Sequence, residues 1–386
     1  MRVLMIAPQP FFSPRGTPIS VYGRLQALST LGHHIDLLTY HLGDDVAIDN
    51  VRILRAGLPG LIRHVRIGPS AAKLALDVVL LREADRLLRQ GGYDVIHTHE
   101  EAAVMGAVLR RRYRIPHLYD MHASLPELFV DYGYPGGQLI RRATKPIERW
   151  VLRRSDAVVV VCPYLRSMVR AANPTVPVFV IENSMPGPES SGEDDVDLPE
   201  TGEDLVVLYT GNLGPNQGID LMLDAMSRVA RRARTGVRLW IVGGERHEVD
   251  RAKRLAGDGV LAERITFFGK RPAHDIPAFL CRSDILLSPR SRGTAIPLKL
   301  YSYLRSGKPI VATDGIAHRQ ILSDETAVLT ATSPPAFGEG ILSLVADANA
   351  RSRLGSKARD YARSRFSPDR FVEQMCEAYA AVRRSS

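Results

Sequence analysis

The chain has 386 residues, of which 45% are hydrophobic and 24% charged, and its 51 basic and 42 acidic side chains give a net charge of +9. This length exceeds what one hydrophobic core usually supports, so two globular domains are expected. No apolar run approaches the roughly 20 residues of a membrane span. Three scattered cysteines exclude a disulfide framework and indicate a reducing compartment. The N-terminal apolar run is too short for a signal-peptide core and is interpreted as a strand, which predicts a cytoplasmic or peripheral protein.

The charge is unevenly distributed along the chain. Residues 1–186 carry 23 basic and 16 acidic side chains, residues 187–204 carry eight acidic and no basic ones, and the remainder carries 28 and 18. Two basic lobes joined by an acidic tether predict anionic ligands or an anionic surface. Nucleic acid is not expected, because few aromatics accompany the arginines and no recognition motif occurs. The basic stretches 63–66 and 110–114 are either solvated surface or a face that contacts anionic lipid.

Residues 1–186 alternate short apolar runs with segments of helical periodicity. This alternation predicts an α/β fold with parallel strands linked by helices. The predicted strands are 3–7, 35–39, 51–54, 95–97, 117–120, 157–161 and 178–181. The predicted helices are 20–31, 71–88, 102–112, 138–153 and 165–171.

Residues 187–204 break this pattern, because they are acidic, rich in Gly, Pro and Ser, and without periodicity. They are predicted to be a flexible linker. The alternation then resumes with predicted strands at 205–209, 238–242, 264–267, 285–288, 310–312 and 327–329, and the chain ends in helices at 336–347, 350–363 and 370–383. We therefore expect two Rossmann-like, doubly wound domains, 1–186 and 205–365, that face a central cleft. Such sheets bind ligands outside the carboxyl ends of their strands.

Three loops of the first domain carry candidate functional residues. Gly16 precedes a predicted helix, where it either admits a phosphate close to the backbone or serves an ordinary turn. His97 and His99 point to the same side of a strand end, as metal ligands would, but no His or Cys follows at useful spacing and no metal is expected. Asp120 and His122 follow the next strand, where they either contact substrate or are structural.

In the second domain, a glycine-rich loop at 211–218 between a strand and a helix forms a predicted anion cradle. The segment 288–314 is the most informative part of the chain. It places Arg290, Arg292 and a helix opened by Pro297 between two buried strands, with Lys299 in the first helical turn. Loop cations beside a helix N-terminus favour an anion, although a solvated basic crossover would have the same pattern.

Together these segments resemble the family 4 (group 1) glycosyltransferases of the GT-B fold over nearly the whole chain. The resemblance rests on segments 1–16, 31–39, 94–97, 181–184, 209–212 and 307–314, which occur in the family's order. It implies a nucleoside-diphosphate sugar held by the second domain, an acceptor held by the first, and a C-terminal helix, 366–386, that crosses back to the first domain. It also implies retained anomeric configuration without metal or other cofactor. On this reading His122 lies near the reacting sugar, with Asp120 beside it, and Gly16 lies near the diphosphate.

The chain departs from the family pattern at four positions. Neutral Asn212 and Gln217 stand where the family usually has arginine and lysine that grip the diphosphate, and Thr294 and Ser302 stand where it has two glutamates. A subgroup with Pro-x-Lys before the helix resembles residues 297–299. We therefore expect Arg290, Arg292 and Lys299 to replace the missing cations, beside the loop at Gly211.

These expectations define a retaining glycosyltransferase with a saccharide or lipid-linked acceptor, acting in cell-surface polysaccharide or glycolipid assembly. Peripheral contact with the inner face of an anionic membrane fits such an acceptor. Two alternatives stay open: a nucleotide-sugar epimerase of the same fold, with Glu100, Glu101 and Asp120 as candidate acid/base groups, and a non-catalytic sugar-nucleotide-binding homologue.

Overall fold

The computed structural model describes residues 1–13, 16–65, 70–131, 136–183 and 196–384, without the side chains of residues 128, 129 and 131. Within them the chain divides into two compact units. Unit 1 comprises Met1–Met185 and Pro368–Ser386, and unit 2 comprises Pro186–Ser367. Most of the predicted linker, residues 187–195, lies outside the described residues, and its end packs Val196 and Leu198 against the core of unit 2. The C-terminal helix belongs to unit 1.

Unit 1 contains one parallel sheet of seven strands in the order β3-β2-β1-β4-β5-β6-β7. The strands are β1 (Arg2–Ala7), β2 (His34–Tyr40), β3 (Val51–Ala56), β4 (Val95–His99), β5 (His117–Met121), β6 (Ala157–Val160) and β7 (Val178–Val180). Its helices are α1 (Thr17–Thr30), α2 (Ala71–Arg89), α3 (Ala102–Tyr113), α4 (Leu125–Asp131), α5 (Gly137–Leu152), α6 (Pro163–Ala172) and, from the end of the chain, α14 (Pro368–Arg384).

Unit 2 contains one parallel sheet of six strands in the order β10-β9-β8-β11-β12-β13. The strands are β8 (Leu205–Thr210), β9 (Val237–Val242), β10 (Ile265–Gly269), β11 (Ile285–Ser288), β12 (Ile310–Thr313) and β13 (Val328–Thr330). The helices are α7 (Ile219–Arg232), α8 (Arg246–Ala256), α9 (Ile276–Arg282), α10 (Lys299–Ser306), α11 (Ile316–Arg319), α12 (Pro334–Ala346) and α13 (Ala348–Arg365).

Both faces of the unit 1 sheet are covered by helices. Alternate residues of β1 separate the two layers: Val3 and Met5 pack with α1 and α14, whereas Leu4 and Ile6 pack with α2 and α3. Right-handed crossovers explain this division. Strands are added in one direction from β1 to β3 and in the opposite direction from β4 to β7, so α1 covers one face of the sheet and α2 and α3 cover the other. The sheet buried on both faces explains why its strands read as continuous apolar runs.

Every predicted strand and helix is present, with ends that differ by a few residues. The sequence analysis did not predict α4, α8, α9 or α11, of which α4, α9 and α11 are too short, at four to seven residues, to show a helical period. The three cysteines form no disulfide; Cys162 is buried as a packing thiol, whereas Cys281 and Cys376 are exposed. Among the described residues, no helix combines the length and apolar character needed to cross a membrane.

Candidate functional site

Two loops meet at the carboxyl edge of the unit 2 sheet. One follows β8 and the other follows β11, and these strands are paired neighbours. The backbone N–H of Ser291 donates to the Asn216 carbonyl at 3.2 Å. A Cβ at Gly218 would lie 1.9 Å from the Pro289 carbonyl oxygen, so only glycine allows this contact. Gly218, the last glycine of the predicted anion cradle, therefore allows the two loops to pack against each other.

Lys299 opens α10 and brings its amino group to the first of these loops. Its Nζ lies 3.6 Å from the centre of the Tyr209 ring and 3.9 Å from the position of a Cβ built on Gly211. This nitrogen is buried and has no hydrogen-bond partner among the described residues. Burial, reinforced by the charge of Arg290, holds the pKa of Lys299 well below its ordinary value of 10.5. The Lys299 amino group is thus held beside Gly211 with no hydrogen-bond acceptor among the described residues.

The remaining predicted donor residues belong to the same loop and helix as Lys299. Arg290 donates from Nε to the Arg292 carbonyl at 2.9 Å, and Arg292 is exposed. The Thr294 carbonyl accepts from the Gln320 amide at 2.7 Å, and Ser302 is half-buried in α10.

The neutral residues of the first loop shape its backbone. The Asn212 side chain accepts from the Gly214 N–H at 3.2 Å, and its carbonyl accepts from the Tyr209 hydroxyl at 2.6 Å. Gly211 has a φ of +134°, which L side chains rarely adopt. Gln217 is half-buried at the end of a single 3-10 turn. Asn212 is therefore engaged within the loop's own turn.

A buried histidine completes this edge of unit 2. His318 in α11 lies 2.8 Å from the Ser288 hydroxyl and 3.2 Å from the Thr313 hydroxyl. Burial, reinforced by the charge of Lys299, lowers its pKa to about 4. The sequence analysis missed His318, although its place just after the carboxyl end of β12 was a signal that could have identified it.

The candidate acceptor residues of unit 1 surround a buried ion pair. Asp120, in β5, has no exposed surface, and its Oδ2 lies 2.9 Å from the Nε of Arg24. Arg24 also donates to the Ile181 carbonyl and the Asn183 side chain. Burial alone would raise the pKa of Asp120, but the Arg24 charge, helped by His122, holds it well below 3.8. Asp120 is therefore a carboxylate locked inside the fold.

His122 lies directly beside this pair and is 8% exposed. Its Nε2 is 3.3 Å from Asp120 Oδ1 and 3.2 Å from His99 Nδ1. Burial lowers the pKa of His122 to about 4, although the Asp120 charge opposes this shift. His97, on the same strand as His99, contacts the Tyr379 hydroxyl of α14 at 2.8 Å. The C-terminal helix thus supports the group around His122.

We expect His122 to stay neutral throughout the physiological pH range, because its folded-state pKa of about 4 lies below it. The measurement is a pH titration of the histidine ring resonances by NMR, with His122→Gln to assign the signal. A His122 midpoint near 6.5, the ordinary value for a histidine side chain, would contradict the burial described here.

His97, His99 and Asp120 offer three donor atoms within 4.8 Å of one another. The sequence pattern did not reveal Asp120 as a third donor, because it comes from the neighbouring strand. The Arg24 guanidinium already neutralises Asp120 at 2.9 Å, so a divalent cation here would face a fixed positive charge. The donor types suit a metal, but their electrostatic surroundings do not.

Gly16, Glu100 and Glu101 also lie at the carboxyl edge of the unit 1 sheet. Gly16 precedes α1 with a φ of +51°, and a Cβ built on it would contact nothing within 4 Å. Glu100 accepts from the Thr17 hydroxyl at 2.9 Å. Glu101 forms an ion pair with Lys73. There is therefore open space at Gly16, whereas both glutamates already have partners.

Comparisons with known proteins agree with this architecture. Residues 14–185 match the family model for Glycosyltransferase Family 4, and residues 204–347 match the model for Glycosyl transferases group 1. The phosphatidyl-myo-inositol mannosyltransferase of Mycobacterium tuberculosis is 23% identical over 365 residues, which cover 92% of this chain and 90% of the relative.

Two solved structures share the fold. Sucrose-phosphate synthase from Thermosynechococcus elongatus superposes with a TM-score of 0.84 at 20% identity, covering 100% of both chains. Anabaena HepE in complex with UDP gives a TM-score of 0.72 at 17% identity, covering 98% of this chain and 100% of HepE. The two family matches span most of both units, and the chain belongs to the family 4 (group 1) glycosyltransferases of the GT-B fold.

Proposed function

We propose that this glycosyltransferase moves a sugar from a nucleoside-diphosphate donor to a saccharide or lipid-linked acceptor, with retention of anomeric configuration and without a metal ion. Unit 2 binds the donor and unit 1 binds the acceptor. The UDP bound to HepE and the phosphatidylinositol substrate named for the mycobacterial relative support these two classes of ligand. The family resemblance supports retention, and cell-surface polysaccharide or glycolipid assembly is the process that such acceptors serve.

The buried Nζ of Lys299, without a hydrogen-bond acceptor among the described residues, carries this proposal. A buried polar group without a partner is unfavourable, and a buried charge is more so. A diphosphate oxygen placed beside Gly211 would give the ammonium its missing acceptor. The Gly211 hydrogen, in place of a side chain, leaves room for that approach.

The charges around Lys299 fit a leaving diphosphate. Arg290 adds a second cation close enough to depress the pKa of Lys299, and α10 begins at this point without a side-chain cap. Fixed cations and the positive end of a helix dipole stabilise the negative charge that develops on a leaving phosphate. We propose that Lys299 and Arg290 compensate in this way for the neutral Asn212 and Gln217, and that Arg292, Thr294 and Ser302 of the same loop and helix add further contacts. The leaving phosphate itself accepts the acceptor's proton, so no separate base is needed.

His122 is proposed to contact the reacting sugar from unit 1. A neutral imidazole can donate or accept a hydrogen bond with a sugar hydroxyl, and the low pKa of His122 favours that form. Asp120 is buried against Arg24, so we propose that it positions His122 and does not contact the sugar itself. Gly16 gives the diphosphate room at the edge of unit 1.

A thermal-shift screen of nucleoside diphosphates and their sugar conjugates tests the donor class, because a ligand that binds only the folded state raises the melting temperature. We expect one nucleoside diphosphate to raise it by several degrees at about 100 times its Kd. No shift with any of them would contradict the proposal.

A turnover assay distinguishes transfer from epimerisation. Release of nucleoside diphosphate only when acceptor is present supports transfer. The partners of Glu100, Glu101 and Asp120 also favour transfer, because all three carboxylates are engaged.

Binding of a donor without turnover in the presence of any acceptor would instead support the non-catalytic alternative. We propose that the protein is cytoplasmic and touches the inner face of the membrane peripherally, where a lipid-linked acceptor would be presented.

A further inference from the structure

We propose that helix α5, with its neighbours α3 and α6, docks unit 1 onto an anionic lipid bilayer. Docking through this surface would bring the enzyme to a lipid-linked acceptor. The inference rests on the proposed function only for this biological purpose, and not for the binding itself. Binding to vesicles is measured without donor or acceptor. Its failure is therefore distinguishable from failure of the transferase proposal.

The outer helical layer of unit 1 has a one-sided charge. Helices α2, α3, α5 and α6 all lie wholly within the described ranges. Every exposed charged side chain on these four helices is basic. Their acidic side chains are at most partly exposed, and Glu83 and Asp85 of α2 form ion pairs with Arg86 and Arg89. Glu148, the single acidic residue of α5, accepts from the Ser124 hydroxyl and the Leu125 N–H at 3.2 and 3.0 Å. The outward surface of α3, α5 and α6 is thus positive, with no exposed carboxylate on these three helices.

Helix α5 carries the densest part of this charge. Arg142, Lys145 and Arg149 are exposed, and Arg153 follows directly after the helix. Their spacing of three and four residues aligns them along one side of the helix. The basic cluster predicted from the sequence at 110–114 is less available, because Arg110 pairs with Asp156 and Arg112 with Asp85. The other predicted cluster, at 63–66, ends outside the described residues.

Exposed apolar side chains flank the basic stripe. Leu139 is 72% exposed and Ile147 is 43% exposed, and both lie on α5. Half-buried Trp150 on the same helix is covered by the Arg154 guanidinium at 4.7 Å from the ring centre. Helices α1 and α14 on the opposite face of the sheet carry no large exposed hydrophobic residue, and both are fully described.

This combination selects a bilayer as the occupant. Basic side chains attract anionic headgroups, while aliphatic side chains and tryptophan insert at the boundary between headgroups and acyl chains. Nucleic acid would account for the cations but not for Leu139 and Ile147. An acidic protein groove would account for the apolar residues, but the fully described helices α3, α5 and α6 carry no exposed acidic side chain to set the register of such a partner.

The test is sedimentation of the full chain with phosphatidylcholine vesicles that contain or lack phosphatidylglycerol. We expect binding only to the anionic vesicles and weakening in high salt, because screening reduces the attraction of exposed charges. Reversing three charges with Arg142→Glu, Lys145→Glu and Arg149→Glu should weaken vesicle binding by about 100-fold or more, given roughly fivefold for each cation at the surface. Leu139→Ser with Ile147→Ser should also weaken it without any change of charge.

The matched control reverses three exposed arginines of unit 2, Arg231, Arg254 and Arg353, to glutamate. It makes the same change in net charge and should retain vesicle binding within about twofold. Equal loss in the control would overturn the proposal in favour of a nonspecific charge effect. Absence of binding to anionic vesicles, equal binding to neutral ones, or binding of short RNA or of a second copy through the same residues in place of lipid would also overturn it.

Discussion

Replacing Asp120 with asparagine should lower the free energy of unfolding of unit 1 by about 3–5 kcal/mol, because it leaves a buried guanidinium without its carboxylate. Both partners are essentially inaccessible, with side-chain exposures of 1% for Arg24 and 0% for Asp120. Asparagine has nearly the same size, so the loss comes from charge and not from a cavity. The measurement is urea unfolding followed by hydrogen exchange of peptides from β5 and α1.

The pH dependence of this effect has a definite sign. The folded-state pKa of Asp120 is well below 3.8, so the unfolded chain binds the proton more readily. The stabilisation is therefore fully present above the unfolded pKa and is lost as the pH falls through the folded pKa. The difference between wild type and Asp120→Asn should be constant near neutral pH and shrink in acid.

Asp45→Asn is the matched control, because Asp45 pairs with Arg55 in the same unit but is 91% exposed. It should cost no more than about 1 kcal/mol. The double variant Arg24→Met with Asp120→Asn should lose less than the sum of the single variants, because neither charge is then left alone. If Asp120→Asn costs as little as Asp45→Asn, the buried pair does not have the role described here.

Replacing Lys299 with methionine should weaken donor binding by about 10- to 100-fold, since a charge-assisted hydrogen bond contributes about 1.5–3 kcal/mol. Methionine keeps most of the unbranched stem that packs near Tyr209 but removes the ammonium. The same substitution should make the free protein about 1 kcal/mol more stable at neutral pH, because it removes a buried polar atom without an acceptor. Loss of donor affinity together with gain of stability distinguishes a ligand-binding lysine from a structural one.

The stability gain should also depend on pH. The folded-state pKa of Lys299 lies well below 10.5, so the unfolded chain holds a proton that the folded site releases. The wild type therefore gains stability as the pH rises between these two values, and the advantage of methionine fades toward about pH 10.5. Lys253→Met is the control, because Lys253 is exposed and lies 5.8 Å from the Phe267 ring centre. It should change neither donor affinity nor stability appreciably.

Much of the fold could be predicted from the sequence, because strands covered on both faces are continuous apolar runs with turn residues between them. The chemistry of the candidate site was less accessible. Arg24 reads as an ordinary helical arginine, and its partner Asp120 lies on another element about 100 residues away. The sequence places Lys299 in the first turn of a short helix but does not show that its amino group is buried. The Tyr209 ring that shields it belongs to β8, about 90 residues earlier, and no local pattern records that contact.

The sequence pattern also misjudged the roles of some glycines. Gly218 looked like part of a phosphate cradle, but the backbone of the neighbouring loop fills the space beside it. Gly211 is the glycine that borders Lys299. Spacing alone shows where a chain can turn sharply. Which glycine leaves room for a ligand depends on the packing of loops that are distant in sequence.

The most direct test of the donor proposal is calorimetric titration with the nucleoside diphosphate that gives the largest thermal shift, in two buffers of different ionisation enthalpy. Binding should raise the depressed pKa of Lys299, so at a pH between its folded-state pKa and 10.5 the complex takes up a proton and the apparent enthalpies in the two buffers should differ. In Lys299→Met this uptake should disappear and the affinity should fall, while Lys253→Met should behave as wild type. Equal affinity and equal proton uptake in wild type and Lys299→Met would contradict the assignment of Lys299 as the diphosphate anchor.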